Sequence, residues 1–250
     1  MMSQRNSEGR PSARERLARQ REREKAAEKR KRALKAGLVA VAVVATVGAV
    51  GVAVSQSGKE PAPASGPAAE PISEGKGRAP VTLSIYEDFR CPGCGHFERG
   101  FAETIEELRA DGTLRTDYHL VSIIDGNLGG NGSQNAANAA ACARDAGSFT
   151  EYHDLLFRNQ PEESSDPFAD KGHLIELAGE VPGLDSAAFR GCVREGTHDD
   201  WVARANEDFL GSGLNATPTV LLDGENLYGD PNNPLTPEKL REMVEDAAAK

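Results

Sequence analysis

Two cysteines stand two residues apart in the stretch Tyr86-Glu87-Asp88-Phe89-Arg90-Cys91-Pro92-Gly93-Cys94-Gly95-His96-Phe97-Glu98. Three kinds of chemistry suit such a pair: a metal clamp, a structural staple or a redox couple. Zinc asks for about four ligands, commonly two such pairs or one pair with two spaced histidines. The other cysteines, Cys142 and Cys192, form no second pair, and His96, His119, His153, His173 and His198 show no ligand spacing. No metal and no other cofactor is expected. A staple closing so small a loop would constrain the unfolded chain little. The redox reading has a mechanism. Cys91 follows a strand and opens a helix, with Pro92 at the first helical position. Free backbone N–H groups and the helix dipole then point toward its sulfur. They favour the thiolate, which makes Cys91 an attacking thiol and a good leaving group. Cys94 lies on the same helical face and can resolve a mixed disulfide by attacking Cys91.

The elements that would position this pair are legible around it. Val81, Leu83 and Ile85 alternate with Thr82, Ser84 and Tyr86, a strand pattern that opens the folded body near Pro80. From Pro92 the period becomes helical: Phe97, Phe101, Ile105 and Leu108 form one stripe, ending at Asp111-Gly112. Residues 113–124 read as a second strand, which completes a β-α-β unit. A long helical region follows, about 133–213, beginning with an Ala-rich helix for which Ser133 is a candidate cap. Strand character returns at Pro218–Leu222, with a turn at Asp223-Gly224 and a partner strand near Tyr228. Thr236-Pro237-Glu238 opens a last helix through Ala248. The order β-α-β, helical insert, β-β-α predicts an α/β sheet with helices on its faces.

Ahead of this body the composition changes. Residues 1–35 hold 13 Lys/Arg and 5 Glu, a charge of +8, so the rest carries −18 of the overall −10. An acidic body repels phosphates, so nucleic acid is not an expected partner. Residues 36–54 are uncharged, apolar and free of proline. As a helix they would span about 28 Å, close to the hydrocarbon thickness of a bilayer. A transmembrane helix is expected there, with the basic tail cytoplasmic and the body outside the cytoplasm. A cleaved signal peptide is the rival reading. Residues 55–79, with Pro61, Pro63, Pro67 and Pro71, read as a linker.

The body, residues 80–250, resembles the DsbA-like branch of the thioredoxin superfamily. The resemblance rests on Tyr86–Cys94, the Ala-rich run Ala136–Ala143, Tyr152-His153-Asp154-Leu155-Leu156-Phe157 and Ala216-Thr217-Pro218-Thr219-Val220. It implies a thioredoxin-like α/β fold split by a helical insert. It implies a cis Pro218 facing the cysteines, with Thr217 beside it to hold an extended substrate chain; a trans proline opening an edge strand is the alternative. The implied activity is thiol-disulfide exchange. Its expected direction is donation of disulfides to exported cysteine-containing proteins, with a membrane redox partner to restore the oxidised state. A reductase or isomerase of the same fold, and a tethered peptide-binding module without turnover, are the alternatives.

Cys142 and Cys192 are expected to join as a structural disulfide. Both fall in the insert of an exported body, and neither has another partner once Cys91 and Cys94 are paired; two separate buried thiols are the alternative. The sequence departs from its relatives in two places. No histidine lies between the cysteines, and Ile85 stands where many relatives carry a buried acid. Glu87 and Asp88 are adjacent and should face opposite ways. Either a proton relay to Cys94 or a solvated strand end accounts for them. His96 reads as a solvated helix residue, Trp201 as core and Tyr86 as sheet packing.

Overall fold

A computed structural model describes residues 68–230 and 232–250. Its sheet has five strands: β1 (Ile72–Gly75), β2 (Val81–Glu87), β3 (Leu114–Leu120), β4 (Thr219–Leu222) and β5 (Glu225–Asn226), in the spatial order β1-β3-β2-β4-β5. β2 and β3 run parallel, with Ile85 opposite Tyr118 and Glu87 opposite Leu120. The other pairings are antiparallel, including Ile85 opposite Val220 in β4 and Ile72 opposite Tyr118 in β1. Parallel neighbours need a crossover. Helix α1 (Pro92–Asp111) supplies it, burying Phe97, Phe101, Ile105 and Leu108 and stopping at Gly112, whose φ of 83° suits glycine.

The insert runs from α2 (Ile123–Leu128) through α3 (Gly132–Asp145), α4 (Phe149–Arg158), a 3-10 turn (Pro167–Ala169), α5 (Lys171–Ala178) and α6 (Ala187–Glu195) to α7 (Asp199–Gly211). α3 is its axle. Ala136, Ala137, Ala139, Ala140, Ala141 and Ala143 are all buried, and such small side chains let α4, α6, α7 and the 3-10 turn pack closely round it. The last helix, α8 (Pro237–Ala248), packs on α1 and starts under a Thr236 cap that takes the amide of Lys239.

The structure corrects several boundaries. The expected second strand stops at Leu120, and its tail turns into α2. The reason is distant in sequence: the Asp88 carboxylate accepts the Ile124 amide and starts a helix there. Ser133 does not cap α3. The Asp125 carboxylate takes the amides of Ser133 and Gln134, a cap delivered from the preceding helix. β1 lies inside the segment read as linker, where four residues pair with β3.

The expected membrane architecture is also corrected. Among the described residues no helix is long and apolar enough to cross a membrane. The longest of those helices, α1, carries Glu98, Arg99, Glu103, Glu106, Glu107, Arg109 and Asp111, charges that a bilayer would reject. The segment 36–54, with the basic tail before it, lies outside the described residues. The fold is an α/β sheet with extra helices and no preceding transmembrane helix among the described residues. The single-pass topology, the anchoring and the membrane redox partner inferred from it are withdrawn.

Candidate active site

Cys91 occupies the N-cap position of α1, with Pro92 following it. The turn is made by the Cys91 amide donating to Asp88 O at 2.9 Å and the Gly95 amide donating to Cys91 O at 3.2 Å. Pro92 has no N–H to waste at this point, which is why the helix can begin immediately after the cysteine. Both sulfurs are reduced in the structure. Cys91 retains 8% of its surface and Cys94 none, so an incoming sulfur can reach only Cys91.

Across from them is the chain between α7 and β4. The Thr217–Pro218 bond is cis, and the Cys91 thiol donates to the Thr217 carbonyl at 3.3 Å. A Cβ at position 93 would lie 3.1 Å from Pro218 Cδ, so the glycine between the cysteines lets this strand entry sit against the helix start. The structure thus brings Cys91, Cys94, Thr217 and Pro218 together. It places Cys142 and Cys192 elsewhere, joined by a disulfide that ties α3 to α6. His96 is exposed, Trp201 is half-buried with its indole N–H on Glu70 O, and Tyr86 stacks on His119.

The two thiols are held in opposite states. A hydrogen bond from the Cys94 thiol pulls Cys91 down to about 6 against the opposing effect of burial; the Gly93 and Cys94 amides add to it. Burial pushes Cys94 well up, and the Cys91 charge beside it pushes further. The Asp88 amide donates to the Cys94 sulfur at 3.5 Å.

Under this pair is a buried ionic cluster, which rules out the solvated strand end among the two expectations for Glu87 and Asp88. Glu87 and Asp88 are both 0% exposed. Asp88 is spent on structure: its carboxylate takes the Ile124 and Arg90 amides, and burial lifts it to about 7. Glu87 Oε1 meets His153 Nε2 at 2.7 Å, and His153 Nδ1 meets Asp154 at 3.1 Å. Burial alone would lower the imidazole, but Glu87, Asp154 and Glu98 outweigh it and raise His153 to about 10. Glu98, from α1, is pushed well up by burial and by the Glu87 charge. Glu87 Oε2 and Glu98 Oε1 are buried close together with no hydrogen-bond partner. A cavity of about 250 Å³, lined by Glu98, Arg99, Ala102, Asp154 and Arg158, opens beside this cluster.

Among the described residues, two sets of side chains have the right atoms for a metal. In Glu87, Glu98 and His153, both imidazole nitrogens are already engaged by carboxylates; in Cys142, Cys192 and His198, the sulfurs are bonded to each other. In each set at least one of the three ligand groups is therefore already spent.

Signals for the missed cluster existed. Glu87 continues the alternation Val81-Leu83-Ile85, which points it into the core. Glu98 lies four residues after Cys94, on the inward side of α1. His153 lies four residues after Phe149, among Phe89, Tyr118, Phe149 and Phe157.

Comparison with known proteins places this arrangement. Residues 68–246 match the family model described as thioredoxin. The kinase PknE of Mycobacterium tuberculosis is 31% identical over 169 residues, which are 63% of this chain and 30% of the kinase. The Na(+)/H(+) antiporter NhaA 1 of Salinispora arenicola is 34% identical over 163 residues, 63% of this chain and 22% of the antiporter. The chain therefore spans less than a third of either relative. The crystal structure of oxidised DsbA from Mycobacterium tuberculosis superposes with a TM-score of 0.62 at 29% identity, covering 72% of this chain and 94% of that one. With that family match, its helical insert between β3 and β4 and its Cys-x-x-Cys facing a cis-proline, the chain belongs to the thioredoxin family and carries a DsbA-like fold.

Proposed function

We propose that the protein is a thiol-disulfide oxidoreductase that passes the Cys91–Cys94 disulfide to cysteine-containing proteins outside the cytoplasm. The observation that carries the reading is the contrast between the two sulfurs: Cys91 is reachable and favours the thiolate, while Cys94 is sealed and favours the thiol. In the oxidised protein a client thiolate attacks Cys91 Sγ. The Cys91–Cys94 bond breaks, and Cys94 leaves and takes a proton. The Glu87–Glu98 pair, whose charge bears on Cys94, holds one nearby. A second client thiolate then attacks the client sulfur of the mixed disulfide, and Cys91 departs as a thiolate. The client loses two electrons and the Cys91–Cys94 pair gains them. Thr217 and Pro218 are the residues against which the client's extended chain would pair.

A stabilised Cys91 thiolate favours the reduced protein, because a disulfide sulfur carries no charge to stabilise. That supports donation over reduction. The Cys142–Cys192 disulfide supports an oxidising compartment. The deciding experiment is the equilibrium of Cys91–Cys94 with glutathione. A potential clearly above thioredoxin's value of about −270 mV is expected; one at or below it would replace donor with reductase. Cys94→Ser should accumulate mixed disulfides and Cys91→Ser should not. Absence of any dithiol turnover in the wild-type protein would leave only a peptide-binding module.

A further inference from the structure

The start of α1 is held by a side chain that belongs to neither cysteine motif nor sheet. Gln160 follows the C-terminus of α4 in the insert. Its amide nitrogen donates to Cys91 O at 2.7 Å and to Phe89 O at 3.1 Å, so both of its N–H groups are spent on carbonyls two residues apart. Its amide oxygen lies over Gly95, where a Cβ would stand 2.0 Å away. The same Cβ would be 2.7 Å from Arg99 Nη1, and Arg99 in turn donates to Phe157 O at 2.9 Å. Beneath them Phe89 packs on Phe157 at 4.8 Å. Residues 89–95 and 157–160 therefore form one interlocked block, and the glycine after the second cysteine is the gap into which Gln160 fits.

We propose that Gln160 is a positioning residue of the active site: its amide, delivered from the end of the helical insert, fixes the Cys91 turn so that the sulfur faces the backbone amides at the start of α1 that stabilise its thiolate. Cys91 has no side-chain cap to hold this turn, and its carbonyl otherwise has the single 3.2 Å bond from Gly95. The two donors from Gln160 also offset the negative ends of two carbonyl dipoles next to a sulfur that must carry negative charge. The inference rests on Cys91 as the reacting thiol, but it concerns the thiolate itself and is measurable whether or not the protein passes disulfides to clients.

The test is the ionisation of Cys91 in the full reduced chain, followed by thiolate absorbance and by the rate of alkylation against pH. Cys94, Tyr228 and Asp88 are the titratable groups that share this environment: Cys94 and Tyr228 are raised out of the range, and Asp88, lifted to about 7, neither absorbs as a thiolate nor is alkylated, so both readouts follow Cys91. Gln160→Met keeps the length of the side chain and removes both donors. The midpoint, about 6 in the wild type, should rise enough to cut the thiolate fraction at acidic pH about tenfold, which is one pH unit. Gly95→Ala should evict the amide and give the same rise, and the double variant should add nothing further, since both changes break one contact. A merely structural role would lower the melting temperature and leave the midpoint in place. An unmoved midpoint in folded Gln160→Met overturns the proposal, and so do additive rises in the double variant. If Gly95→Ala does not fold, Gln160→Met alone decides between these outcomes.

Discussion

Cys91 and Cys94 differ by three positions and by almost everything else. One sits at a helix start with donors around it; the other is sealed beneath it. Alkylation of the reduced protein should therefore rise with a midpoint near pH 6 and modify Cys91 alone. The sign of the linked stability follows. Cys91 is depressed in the folded protein, so its contribution is complete above the ordinary thiol value of about 8.5 and fades as the pH falls through about 6. The oxidised form lacks it. The melting temperature of the reduced form relative to the oxidised one should rise from pH 5 to a maximum near the ordinary thiol value of about 8.5 and fall again above it, where the raised Cys94 ionises more readily in the unfolded chain, as calorimetry of both forms would read. Glu87 and Glu98 make the second residue-scale prediction. Glu98 is held neutral, so Glu98→Gln should cost no more than about 1 kcal/mol. Glu87→Leu leaves His153 Nε2 buried without a partner, with only Asp154 at Nδ1, and should cost about 3–5 kcal/mol in chemical denaturation. The placement of the two cysteines was legible because a helix start is a local event. The burial of Glu87 was legible too, in the alternation of β2, but the chemical identity of a carboxylate argued louder than its position.

At the scale of elements, long stripes were easy to see and ends were not. α1 and α8 are found where periodicity and proline placed them, because their own side chains set those limits. The end of β3 and the start of α3 are set by Asp88 and Asp125, which act across the fold and leave no local mark. Gln160 was invisible for the same reason: its two acceptors lie about seventy residues earlier in the chain. The insert has its own tether. Cys142→Ser together with Cys192→Ser opens a loop with a sequence separation of 50 and should cost up to about 4 kcal/mol in the chain-entropy model. The checking measurement is urea denaturation of the paired variant beside the wild type, and the Cys91 midpoint should stay near 6 in both.

For the whole molecule, the decisive strand is the one composition concealed. β1 is four residues of Ile-Ser-Glu-Gly amid glycine and proline, a pattern that only its partner β3 turns into a strand. Just before it, Trp201 donates to Glu70 O and Asp208 takes the Ala69 amide, so the segment is pinned to α7. A fragment of residues 68–250 should fold as the full chain does. One beginning at Pro80 loses β1, leaves Ile72's place beside Tyr118 empty and bares the edge of β3. It should melt lower and aggregate, which calorimetry and light scattering would record.

The disulfide between α3 and α6 has a bearing on how copies of this protein come into being. A newly made chain carries Cys142 and Cys192 as thiols, and on the proposed activity a finished copy is a competent donor to them. Each donation leaves the older copy's Cys91–Cys94 pair reduced and the younger copy matured. The protein is then among its own first clients, and its biogenesis competes with its work for one pool of oxidised molecules.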